Sequence, residues 1–342
     1  MPRVVTFGEI MLRLSPPGLE RFFQSPTLSA TFGGGEANVA VSLAHFGLDS
    51  VYVTALPAHA VGDAAVSALR AEGVRTDHIV RSGARVGIYF AETGASQRAS
   101  TVIYDRAHSS ISEIGPDALR WNDIMTGAAW LHVSGITPAL GANAAESTRR
   151  AIEAARLAGA RVSFDLNFRR KLWTEADAQR VVRPLMRQVD VVIANEEDLQ
   201  SMLGIHVAGT DVSARRLASE GFRDAAEQVT RDFGPRRVAI TLRESFSASD
   251  NGWSAMLWDA DAGRTIVSQR YEIRVVDRIG GGDSFAAGLI YALISERTSE
   301  DALRFAVAAS ALKHTIPGDF NRVSVAEVDH LARGDASGRV QR

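Results

Sequence analysis

The sequence predicts an α/β protein: a doubly wound, mostly parallel sheet with helices on both faces and a small β lid. Three observations carry this. Short apolar runs rich in Val, Ile and Phe alternate with segments of helical period. Polar residues gather directly after several of those runs, where ligands bind in such sheets. Residues 86–106 break the alternation and read as a hairpin.

Residues 3–8 read as a first buried strand. Residues 9–32 are expected to be irregular, because Pro16, Pro17, Gly18 and Pro26 interrupt short apolar pieces. Such a segment suits a projecting lid better than a core. After Gly33, Gly34 and Gly35, Ala37 to Phe46 shows helical spacing and ends at Gly47, a plausible C-cap. Val51 to Leu56 is a strand, and Asp63 to Glu72 is a helix stopped by Gly73. Period 2 in the hairpin puts Val102, Tyr104 and Arg106 on one face, with Tyr89 available from the partner strand. Those groups suit a hydroxylated, carboxylated ligand, or else an ordinary solvated edge.

The alternation then resumes. Strands are expected at 130–134, 162–166, 189–194 and 237–242, and helices at 144–158 and 175–188. Another helix opens after Asn195-Glu196-Glu197-Asp198. Residues 243–276 read as paired β segments, followed by helices near 284–295 and 300–313. Asp165-Leu166-Asn167-Phe168-Arg169, Asn195 and Thr241 are the conspicuous polar groups after strands. The chain reads as a single domain over 1–342, with a lid from about 9–32 and 86–106. The small, polar tail 334–342 is loosely held in this reading.

Composition narrows the function. With 46% apolar residues the 342-residue chain can bury a substantial core, and 23% charged residues is ordinary for a soluble protein. A net charge of −2 gives no reason to expect nucleic acid or an anionic membrane as partner. The absence of cysteine excludes disulfides and thiolate metal sites, and the eight histidines show no zinc-like spacing. No apolar run reaches the roughly 20 residues that span a bilayer. Without a signal-peptide core at the N-terminus, a cytoplasmic location is expected. Lysine occurs only at 171 and 313, and no Gly-Lys pair exists, so a Walker A loop is excluded.

The chemistry centres on Asp277-Arg278-Ile279-Gly280-Gly281-Gly282-Asp283-Ser284. Consecutive glycines let a ligand approach the backbone, and N–H groups at a helix start make an anion site. Asp283 stands where a phosphate and a substrate hydroxyl could meet. The alternative is a glycine turn with Asp283 as a helix cap. As a base, Asp283 is expected to be weakened by the helix N-terminus, which stabilises carboxylate.

The glycine stretch at 280–282 and the upstream Gly33-Gly34-Gly35-Glu36-Ala37-Asn38 together resemble the signatures of the PfkB, ribokinase-like sugar kinases. The resemblance covers nearly the whole chain and is strongest to the 2-keto-3-deoxygluconate kinases. It implies an ATP- and Mg²⁺-dependent transfer of phosphate to the 6-hydroxyl of 2-dehydro-3-deoxy-D-gluconate. Asp283 would be the catalytic base, with Gly280, Gly281 and Gly282 as the anion hole. Gly34, Asn38, Tyr89, Tyr104, Arg106, Arg169 and Asp319 would contact the sugar acid. Asn167, Asn195, Thr241, Arg243, Glu244 and Gly282 would lie along ATP. Glu197 and Asp198 would reach Mg²⁺ through water.

The segments 6–16, 314–321 and 338–342 also resemble the subgroup. Two places depart from the pattern: Asp198 stands where a glutamate is usual, and Arg243 where a glycine is usual. A homo-oligomer formed through the lid is a further implication. Another sugar kinase of the same family, of fructokinase or ribokinase type, and a non-catalytic sugar- or nucleotide-binding protein on the same fold are the alternatives. A nucleotide-dependent dehydrogenase is disfavoured, because no G-x-G-x-x-G follows the first strand.

Overall fold

The structure is a computed structural model and describes residues 1–195, 197–207 and 219–334. Glu196 and the tail from 335, including the 338–342 segment, lie outside the described residues.

The chain begins with β1 (Arg3–Phe7), β2 (Met11–Ser15) and β3 (Ser29–Gly33), then α1 (Gly35–His45), β4 (Asp49–Leu56), α2 (Ala60–Ala71) and β5 (Ile79–Arg81). The hairpin is β6 (Gly87–Glu92) and β7 (Thr101–Asp105). Short helices α3 (Ser110–Glu113) and α4 (Trp121–Met125) lead to β8 (Ala128–Ser134), α5 (Ala142–Leu157), β9 (Arg161–Asp165), α6 (Glu175–Met186) and β10 (Val191–Asn195). Next come α7 (Asp198–Leu203), α8 (Ser219–Phe233), β11 (Arg237–Ser245), β12 (Asp250–Asp259), β13 (Arg264–Val267) and β14 (Tyr271–Arg274). Helices α9 (Gly281–Ile294), α10 (Ser299–Lys313) and α11 (Val325–Ala332) complete the described elements.

The main sheet runs β13-β12-β11-β10-β9-β8-β1-β4-β5, with β14 also paired to β12. From β5 to β11 every pairing is parallel, and the β12 pairings are antiparallel. Both faces of the parallel part are covered, which is why its strands are apolar at nearly every position. Alternate residues serve opposite cores. Val5 and Phe7 belong to the core shared with α5, α6 and α8, whereas Val4 belongs to the core shared with α1, α9 and α10.

The second sheet, β3-β2-β6-β7, is the lid. Here the reading of 9–32 as irregular is corrected. Pro16, Pro17, Gly18 and Pro26 all fall between β2 and β3, so both strands keep a full ladder from Met11↔Gly33 to Ser15↔Ser29. In the hairpin Tyr89 lies directly opposite Tyr104. The helices α8 and α11 and the short β5 were absent from the sequence reading.

Candidate active site

The two glycine clusters, far apart in sequence, meet in space. Gly280 adopts a left-handed conformation (φ 88°) and opens α9, which places Asp283 in the first turn. In a first turn the N–H groups have no intrahelical acceptor, so those of Gly282 and Asp283 are available to an anion. From α1, Asn38 donates its Nδ2–H to Asp283 Oδ2 at 2.7 Å, while its own Oδ1 accepts from Gly34 N–H at 3.2 Å. Asn38 is therefore the clasp between the clusters.

Burial pushes the Asp283 carboxyl up to about 6, and the charges of Asp319 and Glu36 add to this. The Asn38 hydrogen bond and Arg169 oppose it. Burial outweighs the helix N-terminus, so the expectation of a weakened base is corrected.

A cleft of about 510 Å³ opens above this clasp, and Gly34, Asn38, Gly280, Gly282 and Asp283 line it. Gly281 does not. It is buried against the His314 ring, where a side chain would collide, and its N–H faces Arg278 O at 3.4 Å. Two of the three glycines proposed for the anion hole thus reach the cleft.

On the lid side Tyr89, Tyr104 and Arg106 all line the cleft. Their freedom differs. Arg106 forms a buried ion pair with Glu9, its Nε donating to Oε2 at 2.7 Å. Tyr89 donates its hydroxyl proton to Asp319 Oδ2 at 2.6 Å. Asp319 Oδ1 takes Arg13 Nη1–H at 2.8 Å, and the same guanidinium reaches Asp277 at 2.7 Å. Asp319 also lines the cleft; with both oxygens engaged, it braces the lid to the body at the edge of the site. Tyr104, 39% exposed, is the freer tyrosine, with its ring 6.0 Å from that of Tyr89. Arg169, just beyond β9, lines the cleft, is exposed and has no ion pair among the described residues; its Nη1–H reaches only Phe168 O at 3.3 Å.

The opposite end of the cleft lies at the carboxyl ends of β9, β10 and β11. Asn167 (φ 40°), Asn195, Thr241 and Arg243 line it. Asn195 Oδ1 accepts the N–H groups of Glu197 and Asp198, and both Asp198 oxygens accept backbone N–H, from Phe168 and Asn195. Asp198 is thereby a brace for two loops. Arg243 projects with Thr241 because β11 continues past Leu242, and period 2 turns Glu244 to the other side. There Glu244 pairs with Arg270 at 2.8 Å and does not line the cleft, so its expected ATP contact is corrected.

Several lining residues were given no role in the sequence reading. Glu36 is buried, and its Oε1 accepts from Ser134 N–H, Ser134 Oγ–H and Thr137 Oγ1–H. Burial, then the charges of Asp198 and Asp283, push Asp165 well above the usual carboxylate range. His314 is held neutral, down to about 4, by burial and stacks at a tilt on Trp253. Arg278 lines the same end as Arg243; it too has no ion pair among the described residues, and its Nη2–H reaches Ala248 O at 2.9 Å. An arginine two positions before the glycine run was the readable signal for the last of these.

The donor set fits a polyphosphate: two arginines without ion pairs among the described residues, beside a helix N-terminus. Among the described residues no three His, Cys, Asp or Glu side chains gather to hold a metal ion. With Asp198 turned to backbone and Glu197 exposed, these residues fit a divalent ion carried on phosphate oxygens and water rather than a protein cage. Among the described residues no helix is long and apolar enough to cross a membrane.

Comparison with known proteins agrees with this geometry. The family model "pfkB family carbohydrate kinase" matches residues 1–322. A 2-dehydro-3-deoxygalactonokinase of Haloferax volcanii is 35% identical over 98% of both chains. A 2-dehydro-3-deoxygluconokinase of Thermoproteus tenax is 28% identical, covering 93% of this chain and 90% of its own. The crystal structure of 2-dehydro-3-deoxygluconokinase from Thermotoga maritima superposes with a TM-score of 0.94 at 51% identity, over 98% of this chain and 100% of that one. The likeness extends from end to end rather than to the glycine motifs alone, and the chain belongs to the pfkB family of carbohydrate kinases.

Proposed function

We propose that the protein transfers the γ-phosphoryl group of ATP to the 6-hydroxyl of 2-dehydro-3-deoxy-D-gluconate. The observation that carries this is one cleft holding the Asn38–Asp283 clasp, an anion-binding helix start and Arg169, a cation without an ion pair among the described residues. The relatives' names support the choice of sugar acid. The relative named for the galactonate epimer makes the C4 epimer the second substrate to test.

Arg169 pairs with the sugar carboxylate, and Tyr104 takes a hydroxyl, with the Tyr89 and Arg106 walls shaping the site. Asp283, ionised above pH 6 and more basic than an ordinary carboxylate, accepts the proton of O6. The O6–P bond forms as the bond from phosphorus to the β,γ-bridging oxygen breaks, and ADP leaves with the electron pair. The N–H groups of Gly282 and Asp283 hold the oxygens in transit. Arg243 and Arg278 hold the polyphosphate, with Asn167, Asn195 and Thr241 along the nucleotide. Mg²⁺ on the phosphates would supply charge neutralisation, with Glu197 and Asp198 reaching it through water.

The test is ADP release with ATP and Mg²⁺ across 2-dehydro-3-deoxygluconate, its C4 epimer, fructose, ribose and gluconate. Preference for a keto-deoxy acid is expected. Preference for fructose or ribose would keep the reaction and overturn the substrate. The lid's outer strands β3 and β7 each pair on one side only among the described residues, and Ile103 is 49% exposed on β7. We propose that two lids pair to form a dimer; sedimentation showing only monomer at micromolar concentration would count against it.

A further inference from the structure

The chain carries two lysines among its 38 basic residues, and one of them, Lys313, is fully buried. Burying an ammonium is costly unless other groups compensate it, so its surroundings need an explanation. Its Nζ donates to Ile316 O at 3.1 Å. Its Cε lies 3.1 Å from where a Cβ on Gly280 would be, so the stem runs directly beneath the turn that opens α9.

The loops on either side are tied together. Asp277 accepts Ile279 N–H at 3.1 Å and Gly318 N–H at 3.0 Å, clipping the segment before the glycines to the 314–319 loop. Burial pushes the Lys313 ammonium down, while the charges of Asp277, Asp319 and Asp283 pull it up and Arg13 opposes them. Asp277 and Asp319, which both hold Arg13 behind the anion-binding turn, are thus also the charges that favour the Lys313 ammonium. Lys313 is not among the residues that line the cleft.

We propose that Lys313 is a built-in cation that positions the glycine turn, holding the N–H groups of Gly282 and Asp283 toward the transferred phosphoryl group. The Lys313 methylene stem packs beneath Gly280 and its compact ammonium ends on Ile316 O, a single-point donation that suits an ammonium better than a forked guanidinium. The inference rests on the phosphoryl-transfer reading above.

The test is Lys313→Met, which keeps the length of the side chain without the charge. Turnover is expected to fall roughly 10- to 100-fold, with KM for the sugar within about threefold of wild type. ATP should also lose its extra thermal stabilisation over ADP, a readout that needs no sugar. If the wild type turns over none of the sugars, the substrate reading fails while this readout still judges Lys313. Turnover within about threefold of wild type, or an unchanged difference between ATP and ADP, would overturn the proposal. Should the Met variant fail to fold, Lys313→Ala with added propylammonium decides. Recovery with the primary amine but not with tetramethylammonium supports it, and no recovery in a folded variant overturns it.

Discussion

The lid half and the body half of the cleft are built from the same residue types and treat them in opposite ways. In the lid, Arg106 is committed to Glu9, and Tyr89 to Asp319, which Arg13 also holds. In the body, Arg169, Arg243 and Arg278 line the cleft without an ion pair among the described residues. A buried arginine already matched by a carboxylate has little charge left for a ligand, whereas an unmatched one awaits an anion. The lid groups therefore shape the site, and the body groups bind within it.

The sharpest test of this contrast lies where the halves meet. Asp283→Ala should lower kcat by roughly 10³-fold or more while sugar affinity stays within a few-fold, as steady-state kinetics and calorimetry would show. With the Asp283 carboxyl raised to about 6, kcat/KM should fall on its acid side below about pH 6. The same shift has a stability consequence. Between about pH 4 and 6 the native state holds a proton that the unfolded chain releases, so this group's contribution is lost as pH rises through that window. Asp283→Asn should therefore melt higher than wild type at pH 8, and the advantage should vanish below pH 4.

Arg106→Ala breaks a buried pair and leaves Glu9 uncompensated. It should cost about 3–5 kcal/mol of stability, seen in denaturant unfolding. In contrast with Arg169, it should raise KM for acidic and neutral sugars alike. Arg169→Ala should leave stability near wild type and raise KM for the sugar acid roughly 10- to 100-fold, far more than for a neutral sugar. Equal effects on both sugars would erase the distinction between the halves. The smallest effect compares neighbours on one strand. Arg243→Ala should raise KM for ATP about tenfold, and Glu244→Ala should change it by less than about twofold, because the strand turns Glu244 to Arg270.

Much of the fold was legible because the signals are local. The parallel strands appear as apolar runs, and the hairpin as two strands around a Gly-Ala-Ser-Gln turn. Helix α8 was legible too and was overlooked, since Phe222, Ala225, Ala226, Val229 and Phe233 recur at helical spacing. So was α11, announced by the capping box of Ser324 and Glu327. The strands β2 and β3 were missed because proline and glycine between them were read as breaking the whole segment.

What the sequence by itself determined is the α/β alternation of the body, the two glycine clusters and the residue types a phosphoryl transfer needs. Those depend on neighbours one to four positions apart. Which of those residues remain open to a ligand was decided only by the tertiary structure. Asp319 and Arg106 were expected to touch sugar, yet partners 230 and 97 positions away engage them. Asp283 was expected to be a weak base, yet burial assembled from several elements raises its proton affinity. Pairing and desolvation are properties of three-dimensional neighbourhoods, and linear spacing does not contain them.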